Sequence, residues 1–191
     1  QESFKFNMPQ IKPEVETFAR IKVFGVGGSG KNAVNHMIIN KVSGVDFIAV
    51  NTDSQDLHHS LAPKKIHIGK NVTRGLGTGM NPELGKRAVD ETKEEIQEAI
   101  KGADMVFIAG GMGGGTCTGA SPIIAKTAKE LGALTVAVVT KPFFFEGQAR
   151  MRLAEQGIEE LKKSVDAVII IPNDRLLSVI DKDTTAKNAF A

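Results

Sequence analysis

Glycine is the residue whose spacing carries the most chemistry in this chain. Most of its 20 glycines gather in three clusters: Gly25, Gly27, Gly28 and Gly30; Gly75, Gly77 and Gly79; and Gly110, Gly111, Gly113, Gly114, Gly115 and Gly119. Glycine used as a flexible spacer would scatter, whereas clusters mark backbone that must approach something closely or adopt positive φ. Such backbone presents runs of N–H groups that cradle phosphate oxygens at a helix start. The first cluster reads two ways. Gly25-Val-Gly27-Gly28-Ser29-Gly30 fits G-x-G-x-x-G, with Asp53 downstream where a ribose-binding acid would stand. That makes an NAD(P)-dependent oxidoreductase domain a competitor. The same stretch nearly fits a P-loop through Gly30-Lys31, but Asn32 stands where a hydroxyl would hold Mg²⁺. Lys31 is either a cation near the phosphates or a solvated helix residue. The third cluster has no role in a dinucleotide site built on one glycine loop. With Thr116 and Thr118 as hydroxyl donors and a helix dipole behind it, it suits a multiply charged phosphate chain. Three such loops from three strands favour a nucleotide or phosphate pocket.

The elements that must position these loops follow from periodicity. Short apolar, β-branched runs at 21–24, 47–50, 66–68, 105–109, 135–139 and 167–171 are mostly continuous rather than alternating, as in strands buried on both faces. Helical stripes lie between them: Ala33, Val34, Met37 and Ile38; Leu84, Ala88, Ile96 and Ile100; Ile123, Ile124, Ala128 and Leu131; Met151, Ala154, Ile158 and Leu161. Asn81-Pro82 opens the second of these helices, Gly102 closes it, and Gly132 closes the third. Alternating strands and helices predict an α/β fold, Rossmann-like and doubly wound, with a mostly parallel sheet and helices on both faces. Its ligands bind beyond the carboxyl ends of the strands, where the glycine loops fall. Residues 1–19 read as an N-terminal extension with a short helix near 14–18.

Composition narrows the function. With 41% hydrophobic and 24% charged residues the chain is globular, neither collagen-like nor disordered. A net charge of +2 without a basic stripe gives nucleic acid no electrostatic support. No apolar run is long enough to span a bilayer, so direct membrane insertion is not expected. The single cysteine, Cys117, excludes an intramolecular disulfide, and His36, His58, His59 and His67 show no metal-ligand spacing.

Gly111-Met-Gly-Gly-Gly-Thr116 followed by Cys117-Thr118-Gly119 resembles the glycine signature of the tubulin/FtsZ family of GTPases. Five further motifs agree in order: Gly25-Val-Gly-Gly-x-Gly-x-Asn32, Val50-Asn-Thr-Asp53, Gly75-Leu-Gly-x-Gly-x-Asn-Pro-Glu83, Pro142-Phe-x-Phe-Glu-Gly147 with Arg150, and Ile171-Pro-Asn-Asp-Arg175. The resemblance, closest to the bacterial-type cell-division members, runs from about residue 20 to 190. It implies a GTP/GDP-binding domain over 20–191. Gly27, Gly28 and Ser29, with Gly113, Gly114, Gly115, Thr116, Cys117 and Thr118, would hold the phosphates. Asn32 would lie under them, and Thr78 and Gly79 would approach the γ-phosphate. Asn51, Gly111 and Gly119 complete that set. Glu146 and Arg150 would address the ribose, with Pro142 shaping the wall. Asn173 would meet guanine or ribose, and Phe190 would lie against the base. Asp53 would touch the water shell of Mg²⁺, which needs few protein ligands.

Each role has a plainer rival. Glu146 and Arg150 are spaced i, i+4 and could form only a surface pair. Asp53 and Asn173 could simply cap helices. Three positions depart from the family pattern: Ser29, Lys31 and Cys117 stand where glycine is usual. Cys117, at a helix start, is either a thiol of lowered pKa or a small residue that fits. The resemblance further implies a cytoplasmic protein that self-associates head to tail into filaments, alongside a C-terminal domain and division-machinery partners. In that pattern the chain is cut at the start of a central helix, and the acidic loop that completes catalysis lies beyond it. No catalytic residue is therefore expected within these 191 residues.

Overall fold

The computed structural model describes residues 18–173. The expectation for Phe190 falls outside that range, as does that for a helix near 14–18 apart from Phe18, which has no helical structure. Six strands form one sheet: β1 (Ile21–Val26), β2 (Val45–Asn51), β3 (Lys64–His67), β4 (Met105–Gly111), β5 (Leu134–Lys141) and β6 (Ala167–Pro172). Their order is β3-β2-β1-β4-β5-β6, and every pairing is parallel, so the sheet is wholly rather than mostly parallel. All six expected strands are present. The third sits slightly earlier than its apolar run, and Ile68 lies just past it, buried, with its N–H on the Asn51 carbonyl.

Between strands run α1 (Gly27–Ile39), α2 (Ser54–His58), α3 (Lys70–Thr73), α4 (Pro82–Glu91), α5 (Lys93–Ile100), α6 (Gly115–Glu130) and α7 (Gln148–Ser164). The larger core gathers Phe24, Val26, Ile66 and Ile108 of the sheet with Val89, Ile96, Ile124 and Leu161 of α4–α7. The smaller, on the opposite face, joins Val23, Phe47 and Ala49 to Val34 of α1 and Leu57 of α2. Adjacent strand residues thus feed opposite cores, which is why the runs read as continuously apolar.

One expectation fails. The stripe from Leu84 to Ile100 is two helices, broken at Thr92. The Thr92 hydroxyl donates to the Ala88 carbonyl at 3.0 Å and accepts the Gly69 N–H at 3.0 Å. A side chain that bonds back four residues while serving another segment bends the helix there.

The sheet order places β1 and β4 side by side with Val26 opposite Gly110. From there the chain winds outward in both directions, so a crevice opens at their carboxyl ends. The helices above it meet backbone to backbone. A Cβ at Gly119 would overlap the Pro82 carbonyl oxygen and come within 2.9 Å of the Lys86 nitrogen, and one at Gly85 would overlap the Gly115 carbonyl oxygen. Because the obstacles are main-chain atoms, Gly119→Ala should destabilise the fold by about 2 kcal/mol or more. Urea unfolding checks this: an unchanged midpoint would contradict the contact.

Candidate functional site

A cleft of about 400 Å³ opens at this switch point. The β1–α1 turn supplies Gly27, Gly28 and Ser29, and the end of β2 supplies Asn51 and Asp53, with Asp56 from α2. Gly77, Thr78 and Gly79 come from the loop before α4, Gly111 and residues 114–117 from the β4–α6 turn, and Arg150 from α7. The three glycine clusters therefore converge. Two helices, α1 and α6, begin in the cleft, and the leading N–H groups of a helix have no partner within it. Two partial positive charges thus point into one space.

Hydroxyl groups tie the loops together. Thr116 Oγ1 lies 2.9 Å from Thr52 Oγ1 and 3.0 Å from Thr78 Oγ1, all three residues buried. This chain joins the end of β2, the first turn of α6 and the 74–81 loop. The Gly115 N–H donates to the Gly79 carbonyl at 2.8 Å, which pins that loop a second time.

A polar network organises the β2 side. Asp53 caps α2, its Oδ1 accepting the Asp56 N–H at 3.0 Å, while also lining the cleft. Asn51 is buried; its Oδ1 accepts the Thr52 N–H at 2.9 Å and its Nδ2 donates to Asp56 Oδ2 at 2.8 Å. Lys31 pairs with Asp56 Oδ1 and is only 8% exposed. That overturns the solvated-helix alternative for Lys31: its ammonium is enclosed and needs the Asp56 carboxylate. On the far wall Arg150 Nη1 meets Glu146 Oε1 at 3.2 Å, and Glu146 Oε2 accepts the Phe143 N–H at 2.6 Å.

Of the residues singled out in the sequence, fourteen line the cleft: Gly27, Gly28, Ser29, Asn51, Asp53, Gly77, Thr78, Gly79, Gly111, Gly114, Gly115, Thr116, Cys117 and Arg150. Others stand behind it. Asn32 is exposed on α1. Thr118 is spent on the loop itself, its Oγ1 accepting the Gly113 N–H at 2.8 Å. Gly113 lies where a Cβ would meet Pro142 and Arg150, and Gly119 lies against α4. Glu146 does not line the cleft but pairs with Arg150, which does. Asn173 is buried at the end of β6 with its Oδ1 unpartnered among the described residues. Sequence reasoning passed over Asp56. Its signals were the Asp53-x-x-Asp56 spacing of a helix cap and a lysine inside a glycine loop, which needs a counter-charge once buried.

Cys117 is fully enclosed against Met112 and Ser121, at 3.9 and 3.3 Å from Sγ. Burial pushes its pKa up to about 11, and the Ser121 hydroxyl only partly opposes this. The alternative of an activated thiol is thus reversed, because burial disfavours the thiolate. Native protein at pH 8 should resist a thiol-labelling disulfide reagent and react fully once unfolded in denaturant. Rapid labelling of the folded chain would contradict the burial.

Comparison with known proteins agrees with this architecture. A family model described as the tubulin/FtsZ family GTPase domain matches residues 20–181. The chain is similar to an empty FtsZ dimer from M. jannaschii, at 46% identity and TM-score 0.87, over 92% of this chain and 51% of that one. It is also similar to a mutant FtsZ from the same organism, at 47% and 0.85, over 90% and 52%. A GTPgS-bound protofilament of CetZ2 from Haloferax volcanii is alike in fold, at 23% and 0.79, over 90% and 53%. The chain spans about half the length of these structures. The oxidoreductase alternative gains nothing from them. Its strand order is shared, but its single-loop site is not. The family match over most of the chain, and the three glycine loops meeting where two helices begin, lead to one conclusion: this chain belongs to the tubulin/FtsZ family, as its GTPase domain.

Proposed function

We propose that the cleft binds GTP or GDP through the polyphosphate, and that GTP is hydrolysed to GDP and phosphate when a second subunit closes over it head to tail. The observation that carries this reading is the convergence of the α1 and α6 N-termini at one switch point, lined by glycine backbone. A chain of phosphates is the ligand such a pair of dipoles stabilises best. Gly27–Ser29 and residues 114–117 would hold the inner phosphates. Thr78 and Gly79, roped to α6 through Thr116, would meet the terminal one. Arg150, steadied by Glu146, stands at the opposite wall for the ribose side. The unpartnered Oδ1 of Asn173, on the same sheet edge, offers an acceptor to a purine N–H or a ribose hydroxyl.

Mg²⁺ fits as part of the nucleotide rather than as a resident ion. Among the described residues no three His, Cys, Asp or Glu side chains converge as a metal site. Asp53, a single carboxylate at the cleft edge, suits contact with a hydrated ion carried by phosphates. Bound there, Mg²⁺ would supply charge neutralisation for phosphoryl transfer.

Both cleft carboxylates already have hydrogen-bonding tasks, Asp53 as a cap and Asp56 with Lys31 and Asn51. This supports a neighbouring subunit as the source of the group that positions the attacking water. The FtsZ relative from M. jannaschii is a dimer, and a repeated head-to-tail contact that does not close builds filaments. Filament assembly of this kind fits a cytoplasmic cell-division protein. Among the described residues no helix is long and apolar enough to cross a membrane.

Calorimetry with GTP, GDP and NADH tests the binding reading. One GTP or GDP should bind per chain, and NADH should give no saturable heat; the reverse ranking would overturn the proposal. Turnover provides a separate check. GTPase activity per chain should be very low in dilute protein and rise with protein concentration. A constant specific rate across a hundredfold dilution would mean that the chain completes its own site.

A further inference from the structure

The Lys31–Asp56 pair stands apart from the other ion pairs among the described residues. Its side chains are 10% and 30% exposed, the most enclosed of the set. It also borders the cleft: Asp56 lines it, and Asp56 Oδ2 lies 3.3 Å from where a Cβ would stand on Gly28, in the first turn of α1. A carboxylate there faces the very helix terminus that would hold a phosphate. Left alone, it would repel the ligand. Lys31 occupies Oδ1, Asn51 Nδ2 occupies Oδ2 at 2.8 Å, and the Asp56 N–H rests on Asp53 at 3.0 Å. The carboxylate is thus neutralised by an ammonium from α1 and held in a single orientation.

We propose that Lys31 is a positioning and affinity-setting residue that acts through Asp56. It cancels an acid aimed at the first phosphate loop and keeps Asp56, Asn51 and Asp53 in register. Lys31 does not act as a P-loop lysine, because its ammonium is committed to Asp56 rather than presented to the ligand. The inference rests on the nucleotide reading above. Its signature is charge-dependent: loss of Lys31 penalises a triphosphate more than a diphosphate.

The test is a double-mutant cycle on the full chain. Lys31→Met, Asp56→Asn and the double variant are titrated with GTPγS and GDP by calorimetry at low and high salt. Lys31→Met should weaken GTPγS by about tenfold, and GDP less, through an unmasked carboxylate. Asp56→Asn should tighten GTPγS by about threefold, because it frees a cation beside the cleft. The double variant should return to within about twofold of wild type, and all differences should shrink at high salt. Equal weakening in Lys31→Met and the double variant would overturn the proposal, since Lys31 would then touch the nucleotide itself. Four indistinguishable affinities would overturn it too, leaving the pair purely structural. If Lys31→Met does not fold, the double variant still decides: affinity within about twofold of wild type supports the role, and a loss of about tenfold refutes it, since Lys31 would then touch the nucleotide itself. A wild-type chain that binds neither nucleotide would bring down the parent reading, and this one with it.

Discussion

Between α4 and α6 there is room only for main chain. Gly85 meets the carbonyl of Gly115, and Gly119 meets the carbonyl of Pro82. This contact fixes the start of α4 directly beside the start of α6. The 74–81 loop ends at Asn81, whose side chain caps α4 by accepting the Glu83 N–H at 3.0 Å. The loop is therefore carried wherever α4 goes. Gly79 and Thr78 can reach Gly115 and Thr116 because the two helices touch without intervening side chains. A methyl group at that crossing would overlap main-chain atoms of the facing helix.

On the other side of the sheet the same economy applies. Gly30 lies so close to Ala109 and Gly25 that a Cβ would overlap their backbone atoms. α1 is thereby seated on β1 and β4 with its first turn at their carboxyl ends. The polarity of the cleft then follows from backbone geometry more than from side-chain charge. Two helix termini supply the attraction. Beside the α1 terminus Lys31 and Asp56 form an ion pair, and Arg150 stands by the start of α6. Cys117 sits at the start of α6, yet burial raises its pKa to about 11. Loss of water around a thiolate is the larger effect there, and the Ser121 hydroxyl only partly opposes it.

The sheet was legible because its central strands are buried on both faces, so apolar runs such as Met105 to Ala109 needed no tertiary information to be recognised, whereas β6 at the edge is half-exposed along its length. The glycine loops were legible because close approach of backbone leaves few other choices. The break at Thr92 was not. The periodicity of Ala88, Ile96 and Ile100 carries across it, and the cause is a distant partner, Gly69. Nor could spacing distinguish glycines that face the cleft from those beneath it. Gly119 and Gly113 share a signature with Gly114 and Gly115, but Gly119 faces α4 and Gly113 faces Pro142 and Arg150.

What the sequence determined by itself was therefore much of the local conformation: which segments are strands, where most of the longer helices lie, and which turns must be bare of side chains. These depend on residues a few positions apart. Only the tertiary structure decided what each polar group is for. Lys31 and Asp56 are 25 residues apart, and Thr52 and Thr116 are 64 apart. A buried charge or hydroxyl takes its role from the partner that replaces water around it. That partner is chosen by how the sheet brings distant turns to one edge.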